Sequence, residues 1–347
     1  MLSLGGKPIY DEKISIEKVL NSRCSYDFNK LKENRWGIFN HWGIFKKEKL
    51  ENKKINNIIE CCKVPQYSRG KLLVWLEGDY LYLGFEKKGD SFKEQIMHIE
   101  SGMQQEAVHL ACTATGIGTC IHNLGINGTD HGDKIATARH LIMEAEGSYK
   151  GEKFSVKPPG PEAPQIKGRH LCEPKRDGEI QCLPELTHLT YTNKSGSSAG
   201  EKEVSQILWA ARGRTPHYIN NRPWGLTIPT WGGRQKYTEV YIIKEKKLFR
   251  YINWRGFFPH FGNPTHDIRF MKNIELLSEL EGYNHGIILR RKENTSRALW
   301  EIGYMIENML LQARGLQISF KTKFLRADEY FKLSSLGVKD ALVMLLL

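Results

Sequence analysis

Two stretches of this chain carry the same Glu-x-Gly-x-x-x-Glu spacing, each inside a long helical pattern. Glu100, Gly102 and Glu106 form the first, and Glu301, Gly303 and Glu307 repeat it at one constant offset. Around the first, apolar residues fall at Ile96, Ile99, Met103, Ala107, Leu110 and Ala114. Around the second they fall at Leu299, Ile302, Ile306, Met309, Leu310 and Ala313. Steps of three and four mark a helix with one buried stripe. A glycine inside a helix costs roughly 1 kcal/mol against alanine. Keeping one twice at the same offset therefore predicts close approach of another backbone or of a flat ligand.

The remaining elements recur in order around these two helices. In the first half, a short helix over 54–62 leads to a Pro/Gly loop at 64–70. A hairpin follows over 72–83 with its turn at 77–79, then the long helix and a Gly116-Ile117-Gly118 stop. The second half repeats a short helix (203–211), a Pro/Gly loop (228–235) and a hairpin (239–251, turn at 244–247). A central strand at 286–289, the second long helix and a closing strand at 341–346 complete it. Between the halves, Pro158, Pro159, Pro161 and Pro164 stiffen the chain, and Ser195-Gly196-Ser197-Ser198 reads as flexible. The expected fold is α+β: two similar α/β domains, 1–154 and 199–347, joined by a linker over 155–198 and paired as an internal pseudo-dimer. A short helix over 14–21 and an aromatic arm from Trp36 to Phe45 open the first of them.

Composition narrows the function classes. Hydrophobic content of 40% and charged content of 26% are those of an ordinary globular protein. No apolar run is long enough to span a membrane, and no secretory signal pattern opens the chain. Seven cysteines show no zinc spacing, and their odd number argues against a full disulfide framework, so a reducing cytoplasm is expected. Net charge is +12. Residues 1–150 hold 21 basic and 19 acidic side chains, against 30 and 20 in 151–347. The excess suits an anionic partner, yet no nucleic-acid-binding motif accompanies it. No metal is expected, since His109, His122, His131 and His140 lack the helical ligand spacing.

Taken together, these residues resemble the flavin-dependent nitroreductase-like family, whose members pair two subunits around FMN. The family's opening Arg-Arg-Ser-x-Arg-x-Phe is similar to Ser22-Arg23-Cys24-Ser25-Tyr26-Asp27-Phe28; Cys24 and Tyr26 depart from it. Its Pro-Ser-x-Gly-Asn loop is similar to Pro229-Thr230-Trp231-Gly232-Gly233 and, more loosely, to Pro65-Gln66-Tyr67-Ser68-Arg69. Its Gly-ended helix resembles both long helices, with Glu301, Gly303, Asn308, Leu311 and Gly315 matching in the second. Leu208 to Gly213 is most similar to azoline-oxidising dehydrogenases of peptide maturation.

The resemblance implies two nitroreductase-like domains and a flavin site built from both halves. Arg23, Cys24, Ser25, Gly116, Gly118 and Thr119 would come from one side, and Pro229, Thr230, Trp231, Gly232, Gly233 and Arg234 from the other. Arg23 suits a phosphate, although a solvated helix-end arginine reads the same way. Gly232 and Gly233 let backbone approach a ring, and Trp231 could seal the site or simply anchor a core. The second, pseudo-symmetric site reads as degraded: Gln66 and Tyr67 are bulky, and the segment from Leu189 to Ser195 keeps only Lys194 as a cation. The implied activity is two-electron transfer by one FMN per chain, with NAD(P)H or the substrate itself as donor and a small molecule or peptide as the other reactant. A non-catalytic flavin-sequestering protein, or a partner subunit of a peptide-modifying complex, is the alternative.

Overall fold

A computed structural model of the chain describes residues 3–4, 7–8, 39–40, 43–45, 50–87, 89–114, 117–146, 169–172, 174, 188–213, 218–219, 222–223, 227–229, 237–253, 266–275 and 277–347. Chain order runs through helix α1 (Asn52–Cys61), strands β1 (Leu72–Glu77) and β2 (Tyr80–Glu86), and helix α2 (Ser91–Ala114). Strands β3 (Ile117–Asn123), β4 (Thr129–His131) and β5 (Lys134–Glu146) close the first half. Strands β6 (Arg169–His170) and β7 (Thr192–Asn193) follow, then helix α3 (Glu201–Arg212), β8 (Thr238–Lys244), β9 (Lys247–Ile252), β10 (Asp267–Asn273) and β11 (His285–Arg291). Helix α4 (Ser296–Gly315), β12 (Phe320–Phe324), α5 (Ala327–Ser335) and β13 (Ala341–Leu346) finish the chain.

Both long helices begin at side-chain caps. The Asp90 carboxylate accepts from the Phe92 and Lys93 amides at 3.1 and 3.2 Å, and Thr295 Oγ1 accepts from Ala298 N at 3.4 Å. Every residue of α4 from Ala298 to Ala313 is buried. A helix enclosed on all sides belongs at the centre of a fold.

The most extensive neighbour of α4 is α2, and α3, β8 and β11 also pack against α4. The two helices cross where the sequence repeats its glycine. A Cβ placed on Gly102 would lie 2.7 Å from Trp300 Cα, and one on Gly303 would lie 2.8 Å from Gly102 Cα. Neither distance leaves room for a methyl group, so each glycine exists to admit the opposing backbone. Polar side chains then fix the crossing. Trp300 Nε1 donates to His98 Nδ1 at 3.2 Å, and Tyr304 Oη donates to Gln105 Oε1 at 2.5 Å. Burial holds His98 near pKa 4, which keeps the ring neutral and Nδ1 free to accept. The close approach expected from the sequence is helix to helix.

A sheet flanks each side of this pair. In the first half β1, β2 and β5 are adjacent, while β3, β4 and Gly43–Phe45 also pair with β5. In the second half the order is β6-β10-β9-β8-β11-β13-β12-β7, with every neighbouring pair antiparallel. Central β11 and β13 are buried on both faces, as their unbroken apolar runs require. One hydrophobic cluster joins the halves, running from Ile99, Met103 and Leu110 to Trp209, Ile287, Trp300 and Leu345.

The repeat holds for the helices and breaks in the sheets. In the first half only residues 87–90 separate β2 from α2, so nothing corresponds to β10 and β11. There β2, the second hairpin strand, pairs inward with β5; in the second half β8, the first hairpin strand, pairs inward with β11. The segment 155–198, expected as a linker, supplies both edge strands of the second sheet, β6 and β7. Ser195–Ser198, read as flexible, is held as well. Ser197 N donates to Gln317 O at 3.0 Å, and Ser319 N donates to Ser197 O at 2.8 Å. The helix expected over 14–21, half of the Trp36–Phe45 arm and the proline run lie outside the described residues.

Replacing Gly102 or Gly303 by alanine is expected to lower unfolding free energy by about 1–3 kcal/mol through overpacking. Denaturant midpoints measure it, and an unchanged midpoint would mean that the helices do not meet there.

Candidate functional site

The first glutamates of the repeat, Glu100 and Glu301, are both buried and do different work. Glu100 grips the loop from Pro65 to Gly70. Its carboxylate accepts from the Ser68 amide at 3.1 Å and also takes the Tyr67 amide and the Ser68 hydroxyl. Tyr191 Oη adds a contact at 3.4 Å and donates to Pro65 O at 2.9 Å. Burial pushes the Glu100 carboxyl up, against the downward pull of these donors. Burial likewise raises Tyr191, with Glu100 adding to it, so its phenol keeps the proton that it donates.

Glu301 instead accepts from Arg212 Nη1 at 3.2 Å and from Thr238 Oγ1 at 3.0 Å. That ties α3, β8 and α4 together around an enclosed guanidinium. Nearby, Asn308 Nδ2 donates to Thr227 O at 3.1 Å and anchors the chain entering the second Pro/Gly loop. Thr227 and Ile228 are buried there, and Pro229 is half-buried.

Beside the Glu100-held loop lies a cleft of about 730 Å³, lined by Tyr67 to Gly70, by Phe92, Lys93 and Ile96 of α2, and by Arg326. Arg69 holds φ +53°, a left-handed conformation that costs a non-glycine residue about 1–2 kcal/mol. Tyr67 sits against Phe324, ring centroids 4.7 Å apart, and Tyr191 meets both rings edge-on. Both halves thus build this cleft, at the Pro loop that the sequence marks as degraded.

Of the residues expected to hold flavin, Arg23, Cys24, Ser25, Gly116, Thr230, Trp231, Gly232, Gly233 and Arg234 lie outside the described residues. The expected Gly116–Thr119 loop is strand from Ile117 onward, where Gly118 pairs with Met143 and Thr119 with Ile142. Thr119 is buried with its hydroxyl 3.3 Å from His140 Nδ1. The His266 ring is held by two side chains. Its Nδ1 lies 2.8 Å from Tyr251 Oη and its Nε2 lies 2.9 Å from Ser205 Oγ. Lys93 and Arg326 were not anticipated as site residues. Lys93 reads as a solvated first-turn lysine, and Arg326 reaches the cleft only because β12 leads there.

Burial pushes the Cys61 thiol up to about 12 and raises Cys62 and Cys112 further. Without thiolate character these cysteines are inert core groups. The described residues gather no group of three metal-ligating side chains, and no helix among them is long and apolar enough to cross a membrane.

No family model matches the chain, and no curated protein matches it. Among solved structures it is similar to three proteins described as nitroreductases. The one from Ralstonia eutropha JMP134 is 18% identical over 56% of this chain and 94% of that one, with a TM-score of 0.39. For the Thermotoga maritima MSB8 protein the values are 12%, 99%, 98% and 0.42. For the Anabaena variabilis ATCC 29413 protein they are 10%, 96%, 99% and 0.49.

The second glutamates of the repeat produce a pH dependence. Glu106 and Glu307 are both fully enclosed, and neither Glu307 oxygen has a hydrogen-bond partner among the described residues. Burial, with Glu106 adding to it, pushes the Glu307 carboxyl well above the ordinary range. The native state keeps this proton while the unfolded chain releases it near pH 4.5. Stability therefore falls as pH rises above that value, at a slope approaching about 1.4 kcal/mol per pH unit. Glu307→Gln is expected to gain stability over wild type progressively from pH 4 to pH 8. Parallel denaturation curves across that range would remove the buried, unpaired carboxyl from the account.

Proposed function

We propose that this chain is a flavoprotein of nitroreductase-like type that binds one FMN where its two halves meet and passes two electrons between a donor and an organic acceptor. The observation that supports this most is the crossing of α2 and α4 at their repeated glycines. It joins the halves along the helices in which the sequence resembles the family, so a site made from both halves has its two sides held at a fixed separation.

The residues fit such a group in part. Pro229 stands at the start of a loop anchored through Thr227 to Asn308. Gly118 and Thr119 belong to the sheet, so the binding role falls to the other expected residues. Arg23 would neutralise the phosphate, Cys24 and Ser25 would flank it, and Gly232 and Gly233 would offer backbone N–H groups to the ring. Thr230 and Arg234 border that loop, and Trp231 would exclude water. When bound, FMN supplies the hydride acceptance and donation. No protein base is needed, which agrees with the absorption of His98, His140 and His266 into structural contacts. Either NAD(P)H or a peptide ring would serve as donor. The likeness around Leu208 to Gly213 favours the peptide, with the chain acting alone or as a subunit of a modifying complex.

Purified protein is expected to be yellow, with close to one flavin per chain by absorbance after denaturation. Anaerobic NAD(P)H should bleach the flavin if nicotinamide is the donor. Bleaching by dithionite alone would favour a substrate donor or a flavin-storing protein. Colourless protein that takes up no added FMN would sink the reading.

A further inference from the structure

We infer that the open edge of β1 is where a second copy of this chain binds, the two strands running antiparallel about a two-fold axis at Val74. Strand β1 ends its sheet, and among the described residues it pairs with β2 alone. Its six residues are Leu72-Leu73-Val74-Trp75-Leu76-Glu77. Sheet edges are normally blunted by shortness, proline, charge or a bulge, because an open edge accepts another strand. The second sheet follows that rule and ends on strands of two residues, Arg169–His170 and Thr192–Asn193. Strand β1 uses none of these devices. It has no proline, no charge before Glu77 and no register shift along its pairing with β2.

The backbone sets the register. Glu86 N donates to Lys71 O at 3.1 Å, and Leu72 stands opposite Phe85, so Lys71 and Glu86 form a hydrogen-bonded pair. Such pairs alternate along an antiparallel ladder. Leu73, Trp75 and Glu77 therefore turn their N–H and C=O groups toward β2, and Leu72, Val74 and Leu76 turn theirs outward. A two-fold centred on Val74 sets Val74 against its own copy and Leu72 against Leu76, so every outward group of the strand meets a complement. A centre one residue away would push Leu76 opposite Gly70, or Leu72 opposite Gly78, beyond the strand ends. Side chains agree with the same centre. Leu72 and Val74 pack on buried clusters, and Leu76 shares their face yet is 42% exposed. Against Leu72 of the second copy it would be covered. On the other face Leu73 meets Trp75, whose ring is already stacked on Tyr82 with centroids 5.4 Å apart. Charges complete the match, since Lys71 then stands opposite Glu77 at both ends. Lys71 also holds Glu86 at 2.6 Å.

This inference stands on β1 alone and is tested apart from the flavin reading. Sedimentation velocity on the purified protein, with whatever flavin it carries, should show a species of twice the chain mass that dissociates on dilution. Val74→Pro removes an outward N–H that has no acceptor among the described residues, at an edge position that tolerates proline. It should weaken the dimer about tenfold or more, with far-UV circular dichroism and flavin per chain as in wild type. Leu76→Lys, a charge at an exposed position, should do the same. Lys71→Glu and Glu77→Lys should each weaken association about threefold or more, and both reversals in one chain should restore it. If Val74→Pro does not fold, Leu76→Lys and the paired reversals decide. Protein that stays monomeric at about 100 µM would overturn the inference, including one that binds an extended peptide at this edge instead. So would a dimer that Leu76→Lys leaves intact, or paired reversals that fail to restore association.

Discussion

The fold depends on two backbones touching. Where α2 crosses α4, Gly102 and Gly303 remove the side chains that would hold the helices apart. Helix axes usually stay about 8–10 Å apart because side chains intervene. Removing them at the crossing lets flanking residues interlock, so His98 reaches Trp300 and Gln105 reaches Tyr304. Each sheet then rests on this pair, and the shared cluster from Met103 to Leu345 follows from that placement. The helical penalty of two glycines is small against the apolar area that the contact encloses.

The two helices that share this motif differ in their chemistry. Glu100 carries loop amides, so the first half presents its Pro loop as the floor of a cleft. Glu301 carries a buried guanidinium and braces the second sheet. The sheets differ as well: the second has two more strands between its hairpin and its long helix, and in the first β2 pairs directly with β5. The shared glycine meets the same demand for close approach in both helices, while the glutamate two residues before it holds a loop in one half and a guanidinium in the other.

Periodicity and punctuation made the elements legible. The long helices, both hairpins, the central strand at His285–Arg291 and the closing strand at Ala341–Leu346 follow from apolar spacing and turn residues that act locally. Sheet order did not follow. Which hairpin strand faces inward depends on what packs beside it, and neither hairpin encodes that. Edge strands of two residues, such as Arg169–His170, are too short to leave a pattern. Serine and glycine around Ser197 read as flexible because composition ignores the neighbour that arrives from Gln317 to Ser319. The cleft was legible in half: Ser68-Arg69-Gly70 marks a special loop, whereas Arg326 gains meaning only from its place across the seam.

The interior common to both halves makes the chain indivisible. Severed between residues 155 and 198, the first half would expose Ile99, Met103, Ala107 and Leu110 to water, and the second would expose Trp300, Ile302 and Ile306. Each fragment would also surrender the groups that satisfy His98, Gln105 and Tyr304. The two halves share one interior, so heat or denaturant is expected to dissolve both in a single event.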